Sequence, residues 1–270
     1  MPELPEVETI RRQLAPAVTG RTIVDSGAHP SAKFAPAIEV TGACIEGVDR
    51  RGKYLLVGLD DDRELVIHLG MTGRLQLTTP DTTTSGGGQP YVRAWWDLGD
   101  GVLELHDVRR FGRVAVVPAG DHHDLPTLAK LGPEPLGPDF TPDGLWSALR
   151  SSSVRVKTQL LGQRPVAGVG NIYADEALWQ AGINPASRRV GRVGAERLHA
   201  AIVEVLRAAV DNGGTTIRDY RNFDGASGSN QLHLRCYGRA GEPCLRCSTA
   251  LERRVIDGRG TTWCRRCQVR

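Results

Sequence analysis

Pro2 becomes a terminal secondary amine once the initiator methionine is removed, and Glu3 follows it directly. A free α-amino group titrates near ~8 against ~10.4 for a lysine, so its neutral fraction at neutral pH is larger by roughly two orders of magnitude. Such an amine attacks an electrophilic carbon and forms a Schiff base with a carbonyl or ring-opened sugar. A carboxyl one residue on can protonate the group that opens or leaves. The same stretch, Met1-Pro2-Glu3-Leu4-Pro5-Glu6, also reads as a plain delay before a helix that opens at Val7. The six residues alone do not choose between the two.

A second chemistry is written at the other end. Cys244 and Cys247 form one C-x2-C pair and Cys264 and Cys267 another, with sixteen residues between them. That is the spacing of a tetrahedral four-thiolate zinc site with Zn–S bonds of ~2.3 Å. Four thiolates fill the coordination sphere, so the one Zn2+ expected there is structural; a redox pair is the competing reading. Between the pairs, Leu251 to Ile256 and Thr261 to Trp263 are expected to form a hairpin around Asp257-Gly258-Arg259-Gly260, which would project Arg259 from its tip toward a DNA groove. Cys44 and Cys236 remain as small side chains for a core.

Three shorter stretches carry weaker signals. Gly168-Val169-Gly170-Asn171-Ile172 precedes a helix, where free backbone N–H groups bind phosphate, with Arg155, Lys157 and Arg164 upstream as neutralising charges. Lys53, in Arg50-Arg51-Gly52-Lys53-Tyr54, stands at the edge of an apolar strand, where desolvation or nearby cations make an ammonium a usable acid or base. In Asp107-Val108-Arg109-Arg110-Phe111-Gly112-Arg113, three arginines surround one aromatic. Phe111 there either replaces an extruded base in a stack or is ordinary core.

The elements that must position these residues fall into an α+β pattern. A short amphipathic helix from Val7 to Leu14, closed by Pro16 and Gly20, leads into β-type runs at Leu55 to Leu59, Leu65 to His68, Leu75 to Thr78, Val92 to Leu98 and Val114 to Val117. These predict an antiparallel β-sandwich or barrel. Thr79 to Pro90 reads as a surface loop. Asp121 to Pro142 holds five prolines and reads as a linker. Helices are expected from Thr141-Pro142, around Gln159 to Leu161, from Ile172 to about Ala181, and from Ala195 to Val210. The expected division is a catalytic sandwich over 1–120, a linker over 121–142, a helical domain over 143–234 and a zinc hairpin over 235–270. His122 and His123 in the linker read as a solvated pair.

Composition narrows the partners. The 270-residue chain is long enough for two cores without disulfides. Its charged opening and the lack of a long apolar run predict neither signal peptide nor membrane span, hence a cytoplasmic protein with reduced cysteines. Net charge is +3, but Arg235 to Arg270 carries nine arginines against three acidic residues, leaving +6 there and −3 elsewhere. A basic tail on a near-neutral body predicts a polyanionic partner.

Taken together and in this order, these residues closely resemble the formamidopyrimidine-DNA glycosylase branch of the Fpg/Nei family. The likeness runs from Met1-Pro2-Glu3-Leu4-Pro5-Glu6-Val7-Glu8-Thr9 through Arg51-Gly52-Lys53-Tyr54-Leu55, His68-Leu69-Gly70-Met71-Thr72-Gly73, Arg109-Arg110-Phe111-Gly112, Leu131-Gly132-Pro133-Glu134-Pro135-Leu136 and Gly168-Val169-Gly170-Asn171-Ile172-Tyr173-Ala174 to the last zinc cysteine. The resemblance implies a monomeric DNA glycosylase and abasic-site lyase of base-excision repair that acts on double-stranded DNA containing an oxidised purine. It implies a helix-two-turn-helix domain with a zinc-finger hairpin. Pro2 would attack the deoxyribose C1′, Glu3 would protonate the ring oxygen, and Lys53 would hold phosphates beside the lesion and assist elimination. Met71, Arg109 and Phe111 would fill the space of the flipped nucleotide. Asn171, Lys157 and Arg259 would hold backbone phosphate.

The chain departs from the family's pattern at three places. Ser151-Ser152-Ser153-Val154-Arg155 stands where a lysine-rich stretch is usual, and Gln89-Pro90-Tyr91-Val92-Arg93 replaces a histidine-rich approach to Asp107. The loop over the flipped purine reads Asp224 to Gln231 and lacks the usual Gly-Tyr-Phe. The 8-oxoguanine preference therefore does not carry over with the lyase residues. Two rivals stand: a relative preferring hydantoins or oxidised pyrimidines, and a zinc-dependent binder of damaged DNA without catalysis.

Overall fold

The computed structural model describes residues 2–78 and 90–269, so the loop expected over Thr79 to Pro90 lies, apart from Pro90, outside the described residues. Helix α1 spans Leu4–Val18, opening earlier and closing later than the apolar periodicity suggested. Pro5 is accommodated in the first turn, where backbone N–H groups have no intrahelical acceptor. Glu3 and Glu6 complete the start as a reciprocal capping box: the Glu3 carboxylate accepts the Glu6 N–H, and Glu6 Oε2 accepts the Glu3 N–H at 2.8 Å. Pro16 lies inside the helix, close to its end, where it costs a single intrahelical hydrogen bond. Leu4, Val7, Ile10, Leu14 and Val18 form the buried stripe.

Among the described residues of the first half, eight strands follow: β1 Asp25–Ala28, β2 Ile45–Arg51, β3 Tyr54–Leu59, β4 Arg63–His68, β5 Arg74–Thr78, β6 Val92–Asp97, β7 Val102–His106 and β8 Arg113–Pro118. They form two antiparallel four-stranded sheets, ordered β1-β6-β7-β5 and β2-β3-β4-β8. The sandwich is the one the alternating runs predicted, and β1, β2 and β7 were not among those runs. β1 is Asp-Ser-Gly-Ala and has no apolar pattern; it is admitted because Gly27 leaves room for the Trp95 ring, which an added Cβ would overlap. Leu55, Val57, Ile67, Leu75, Trp96, Leu103 and Leu105 share one core with Ile10 and Leu14 of α1 and with Phe34.

By its contacts the chain divides into two units, Met1–Ala129 with Gly213–Ser229, and Lys130–Asn212 with Asn230–Arg270. The first also holds α2, Pro126–Ala129. Its returning segment 213–229 buries Tyr220 and Phe223 in the sandwich core. The second unit is helical, with α3 Pro142–Arg150, α4 Val156–Leu161, α5 Asn171–Ala181 and α6 Arg192–Asp211, followed by the hairpin β9 Glu252–Ile256 and β10 Arg259–Trp263. Thr141 caps α3 by accepting the Gly144 N–H at 3.1 Å, and Gly182 closes α5 in the left-handed region at φ 69°. Among the described residues no helix is long and apolar enough to cross a membrane.

Glu8 ties α1 to β2. Its carboxylate accepts from Arg11 at 2.9 Å, Arg12 at 2.8 Å and Arg50 at 3.1 Å. Burial alone would raise its pKa, but the hydrogen bonds and charges of these arginines outweigh that and bring it from 4.5 to about 2. A carboxylate depressed in the folded state contributes stability above its unfolded pKa and loses it as pH falls through the folded one. Thermal denaturation of the wild type is therefore expected to lose about 1–2 kcal/mol from this group between pH 4.5 and 2, after discounting for solvent screening. Glu8→Gln is expected to be less stable at pH 7 and to lack that component of the acid limb.

Candidate active site and metal centre

In the first unit, the head of α1 holds the proposed nucleophile. Pro2 is buried and Glu3 is 1% exposed, with its backbone fixed by the capping box. Glu6, the other half of that box, is spoken for on both oxygens, since Oε1 accepts the Thr215 N–H of the returning segment at 2.6 Å. The Tyr220 hydroxyl lies 3.4 Å from the Glu6 carbonyl and 3.2 Å from the Gly213 carbonyl. Burial pushes the Tyr220 phenol upward, so it stays a neutral donor. Gln13 extends the seam, accepting the Phe223 N–H at 3.0 Å and donating to Asp224 at 2.5 Å.

Lys53 is in the two-residue turn between β2 and β3, where Arg51 pairs with Tyr54 and Gly52 has φ 58°. The lysine is 6% exposed. A chain of contacts leads to this turn from α1: Glu8 accepts from Arg50 Nε, and Arg50 Nη1 donates to the Gly52 carbonyl at 3.0 Å. Beside it, His68 stacks obliquely on Tyr54 with ring centroids 4.7 Å apart. Burial, helped by the positive charges of Lys53 and Arg113, lowers the His68 pKa to about 4, which leaves a neutral ring at neutral pH. Its Nδ1 accepts the Gly70 N–H at 3.2 Å.

The residues expected to fill an emptied base position come from two loops that Asp107 staples together. Asp107 is fully buried; Oδ1 accepts from Thr72 Oγ1 at 2.5 Å and from the Arg109 N–H at 3.2 Å, while Oδ2 accepts the Gly112 N–H at 2.7 Å. Gly70 packs directly on the second loop, where a Cβ would overlap the Phe111 backbone carbonyl. Met71 is thereby carried beside the turn that holds Arg109 and Phe111. Phe111 is 47% exposed and not core, and the Arg109 guanidinium lies 4.6 Å from its ring centroid. An exposed aromatic held by an arginine is a stacking surface. Asp107 was part of the quoted motif, but nothing in its spacing announced that it organises both loops.

The second unit is built outward from α5. Asn171, Asp175, Glu176 and Trp179 lie on its face toward the zinc module, at the spacing of helical neighbours. Asn171 Nδ2 donates to the Gly260 carbonyl at 3.0 Å, and its buried Oδ1 has no hydrogen-bond partner among the described residues. Asp175 Oδ2 accepts the Thr262 N–H at 2.8 Å. Glu176 accepts backbone N–H groups of Arg235, Cys236 and Tyr237 at 2.9, 2.8 and 2.7 Å. Trp179 Nε1 donates to Cys244 Sγ at 3.4 Å, beneath the guanidinium of Arg246.

Lys157 was expected on a phosphate. The structure places it fully buried, with Nζ 2.6 Å from Asp175 Oδ1, 3.0 Å from the Gly260 carbonyl and 2.8 Å from Thr261 Oγ1. Burial raises the Asp175 pKa to about 6 even against the attraction of Lys157. The ammonium thus fixes the hairpin from inside. Arg259 is exposed, but it opens β10 opposite Ile256; the tip itself is Asp257-Gly258, both at positive φ, as a tight two-residue turn requires.

The Sγ atoms of Cys244, Cys247, Cys264 and Cys267 all lie within 4.8 Å of one another, with 3.9 Å between Cys244 and Cys267 and 3.5 Å between Cys247 and Cys264. A tetrahedron with ~2.3 Å Zn–S bonds has edges of about 3.8 Å, so the donor set fits zinc. Gln268 braces the second knuckle, accepting the Cys264 N–H at 2.7 Å and donating to the Ile183 carbonyl at 2.9 Å. The reduced Cys236 stands apart, its thiol 3.1 Å from the Thr262 carbonyl.

Comparison with known proteins adds three family matches: the formamidopyrimidine-DNA glycosylase N-terminal domain over residues 1–114, the formamidopyrimidine-DNA glycosylase H2TH domain over 131–221, and the zinc finger found in FPG and IleRS over 241–269. The last match and the sulfur geometry together assign one structural zinc to the four cysteines. The chain is 44% identical to a formamidopyrimidine-DNA glycosylase of Deinococcus radiodurans, covering 99% of this chain and 97% of that one. It is similar in structure to the MutM (Fpg) protein of Thermus thermophilus, with a TM-score of 0.91, 45% identity and coverage of 99% and 98%. A Lactococcus lactis Fpg mutant in complex with a Fapy-dG containing DNA matches over 100% of both chains, with a TM-score of 0.90 and 36% identity.

Two outcomes test this geometry. Lys157→Met strands Asp175 in the interior and is expected to destabilise the protein by about 3 kcal/mol in urea unfolding, with Lys157→Met/Asp175→Leu recovering part of the loss. Cys247→Ala is expected to reduce bound zinc from one equivalent to none by metal analysis and to lower affinity for DNA in the same preparation.

Proposed function

The chain belongs to the formamidopyrimidine-DNA glycosylase family, and on that premise we propose that it excises formamidopyrimidines from duplex DNA and then cuts the abasic strand, using Pro2 as nucleophile. The observation that carries the reading is the anchoring of Pro2-Glu3 by the Glu6 carboxylate, together with the Glu8–Arg50 path to the turn holding Lys53. Both catalytic ends are set by the same helix. The Pro2 nitrogen bonds to C1′ of the damaged nucleoside as the bond to the base breaks. Glu3 protonates the ring oxygen, opening the sugar to an iminium. Loss of a C2′ proton expels the 3′ phosphate, and a second elimination expels the 5′ phosphate, leaving a one-nucleotide gap. Lys53 steadies the flanking phosphates and assists these eliminations. We place the enzyme in the bacterial cytoplasm.

Met71, Arg109 and Phe111 occupy the vacated stack and face the orphaned partner base, which offsets the few kcal/mol that base flipping costs. Arg259 and the amide of Asn171 grip the backbone from the hairpin end, and Lys157 holds that grip in shape. The segment 224–229 carries no aromatic; Tyr220 and Phe223, the nearest ones, are buried in the sandwich core. We therefore propose formamidopyrimidines as substrates, without an 8-oxoguanine preference, which an aromatic in this segment would accompany.

Borohydride trapping tests the chemistry, with a formamidopyrimidine duplex, an 8-oxoguanine duplex, an abasic duplex and a Pro2→Gly control. The expected result is an adduct on the formamidopyrimidine and abasic duplexes that is weak or absent in the control. No adduct on any duplex, with intact mass showing Pro2 free, would overturn catalysis and leave a damaged-DNA binder. Stronger trapping on an oxidised pyrimidine would overturn the purine assignment.

A further inference from the structure

Four arginines of the second unit converge on the turns before α4 and after α5. Arg150, Ser151 to Ser153 and Arg188 to Gly191 line one concavity of about 780 Å³, and Arg155, Ala186, Ser187, Arg188 and Arg189 line a second of about 590 Å³. The two share Arg188 and Arg189 and form one trough. No carboxylate lines either part among the described residues. Arg155 is paired, at 2.5 Å, with Asp257 of the hairpin turn, and Arg150 lies over the Trp146 ring at 4.8 Å. Arg188 donates once, to the Ser153 carbonyl at 3.1 Å. Arg189 makes no hydrogen bond or ion pair among the described residues. Ser187 is 7% exposed, and its Oγ has no hydrogen-bond partner among them.

Guanidinium groups of which only Arg155 meets a carboxylate, interleaved with serine hydroxyls, are the donor set for phosphate oxygens. The two adjoining concavities together hold far more than one phosphate, and the arginines that line them are spread along the chain from 150 to 189, which points to an extended polyanion. Through the Arg155–Asp257 pair it is continuous with the hairpin that carries Arg259. We propose that this trough binds the sugar–phosphate backbone of the duplex beyond the lesion, adding about two phosphate contacts. The proposal rests on the reading of the chain as a binder of damaged duplex DNA.

The test compares the wild type with Arg188→Gln/Arg189→Gln on two duplexes carrying a reduced abasic site, which cannot form the imine: one of roughly ten base pairs and one of roughly twenty-five. Each phosphate contact contributes about 0.9 to the slope of log affinity against log salt, so the double variant is expected to lower the slope by about 1.8 on the long duplex. It is also expected to lose most of the affinity gained by lengthening, at unchanged zinc content and melting temperature. If the double variant melts early, Arg189→Gln alone is expected to lower the slope by about 0.9. Equal slopes for variant and wild type on the long duplex would overturn the trough alone and reassign its arginines to an acidic protein surface. Failure of the wild type to bind either duplex would overturn the damaged-DNA reading and the trough with it.

Discussion

The carboxylate of Glu6 accepts backbone N–H groups from Glu3 and from Thr215, residues more than two hundred positions apart. A buried carboxylate is tolerable only when its lone pairs are taken up, and here both oxygens are. The position of the chain's first residues, and with it that of Pro2, depends on this arrangement. Gly214 and Gly228 are small because of it: a Cβ on Gly214 would lie 3.0 Å from Glu6 Oε1, and one on Gly228 would overlap the Gly214 carbonyl oxygen. An N-terminal amine is an effective nucleophile only if it is held as firmly as a side chain. Here a late segment brought back against the first helix holds the start of the chain in place, as the proposed role of Pro2 requires.

The second unit solves a related problem around α5. That helix is buried on nearly every side and carries two carboxylates that burial pushes up in pKa, yet each has specific backbone donors. Buried ionic groups of this kind add little net stability, but they discriminate strongly against wrong geometry. The hairpin therefore has two independent restraints, a metal at its base and a lysine–aspartate pair near its turn.

Much of this was legible in the chain itself. The cysteine spacing located the metal and the alternating runs located most of the strands, while Pro2-Glu3 marked where to look for a nucleophile. What escaped the sequence was every contact that joins distant segments. The return of residues 213–229 to the sandwich has no local signature, because Gly213-Gly214 reads only as a helix end. Lys157 read as a phosphate ligand from the family resemblance and from its place, with Arg155 and Arg164, upstream of a glycine-rich helix start; its partner Asp175 is eighteen residues on and betrays itself only by being polar on a buried helix. The spacing of Asn171, Asp175 and Trp179 was the available clue. Asp107 and Arg50 likewise act in part through backbone groups, which leave no pattern in side-chain types.

The two-residue turn at Asp257-Gly258 sets a ruler for the whole hairpin. Strand side chains alternate faces, so one residue inserted there would turn Arg259 to the opposite side of the ribbon and shift every rung down to Trp263, next to the zinc ligand Cys264. The number of residues between the two cysteine pairs is thus constrained at both ends, by the metal and by the face on which one arginine must emerge. Length, more than composition, is what this part of the chain must keep.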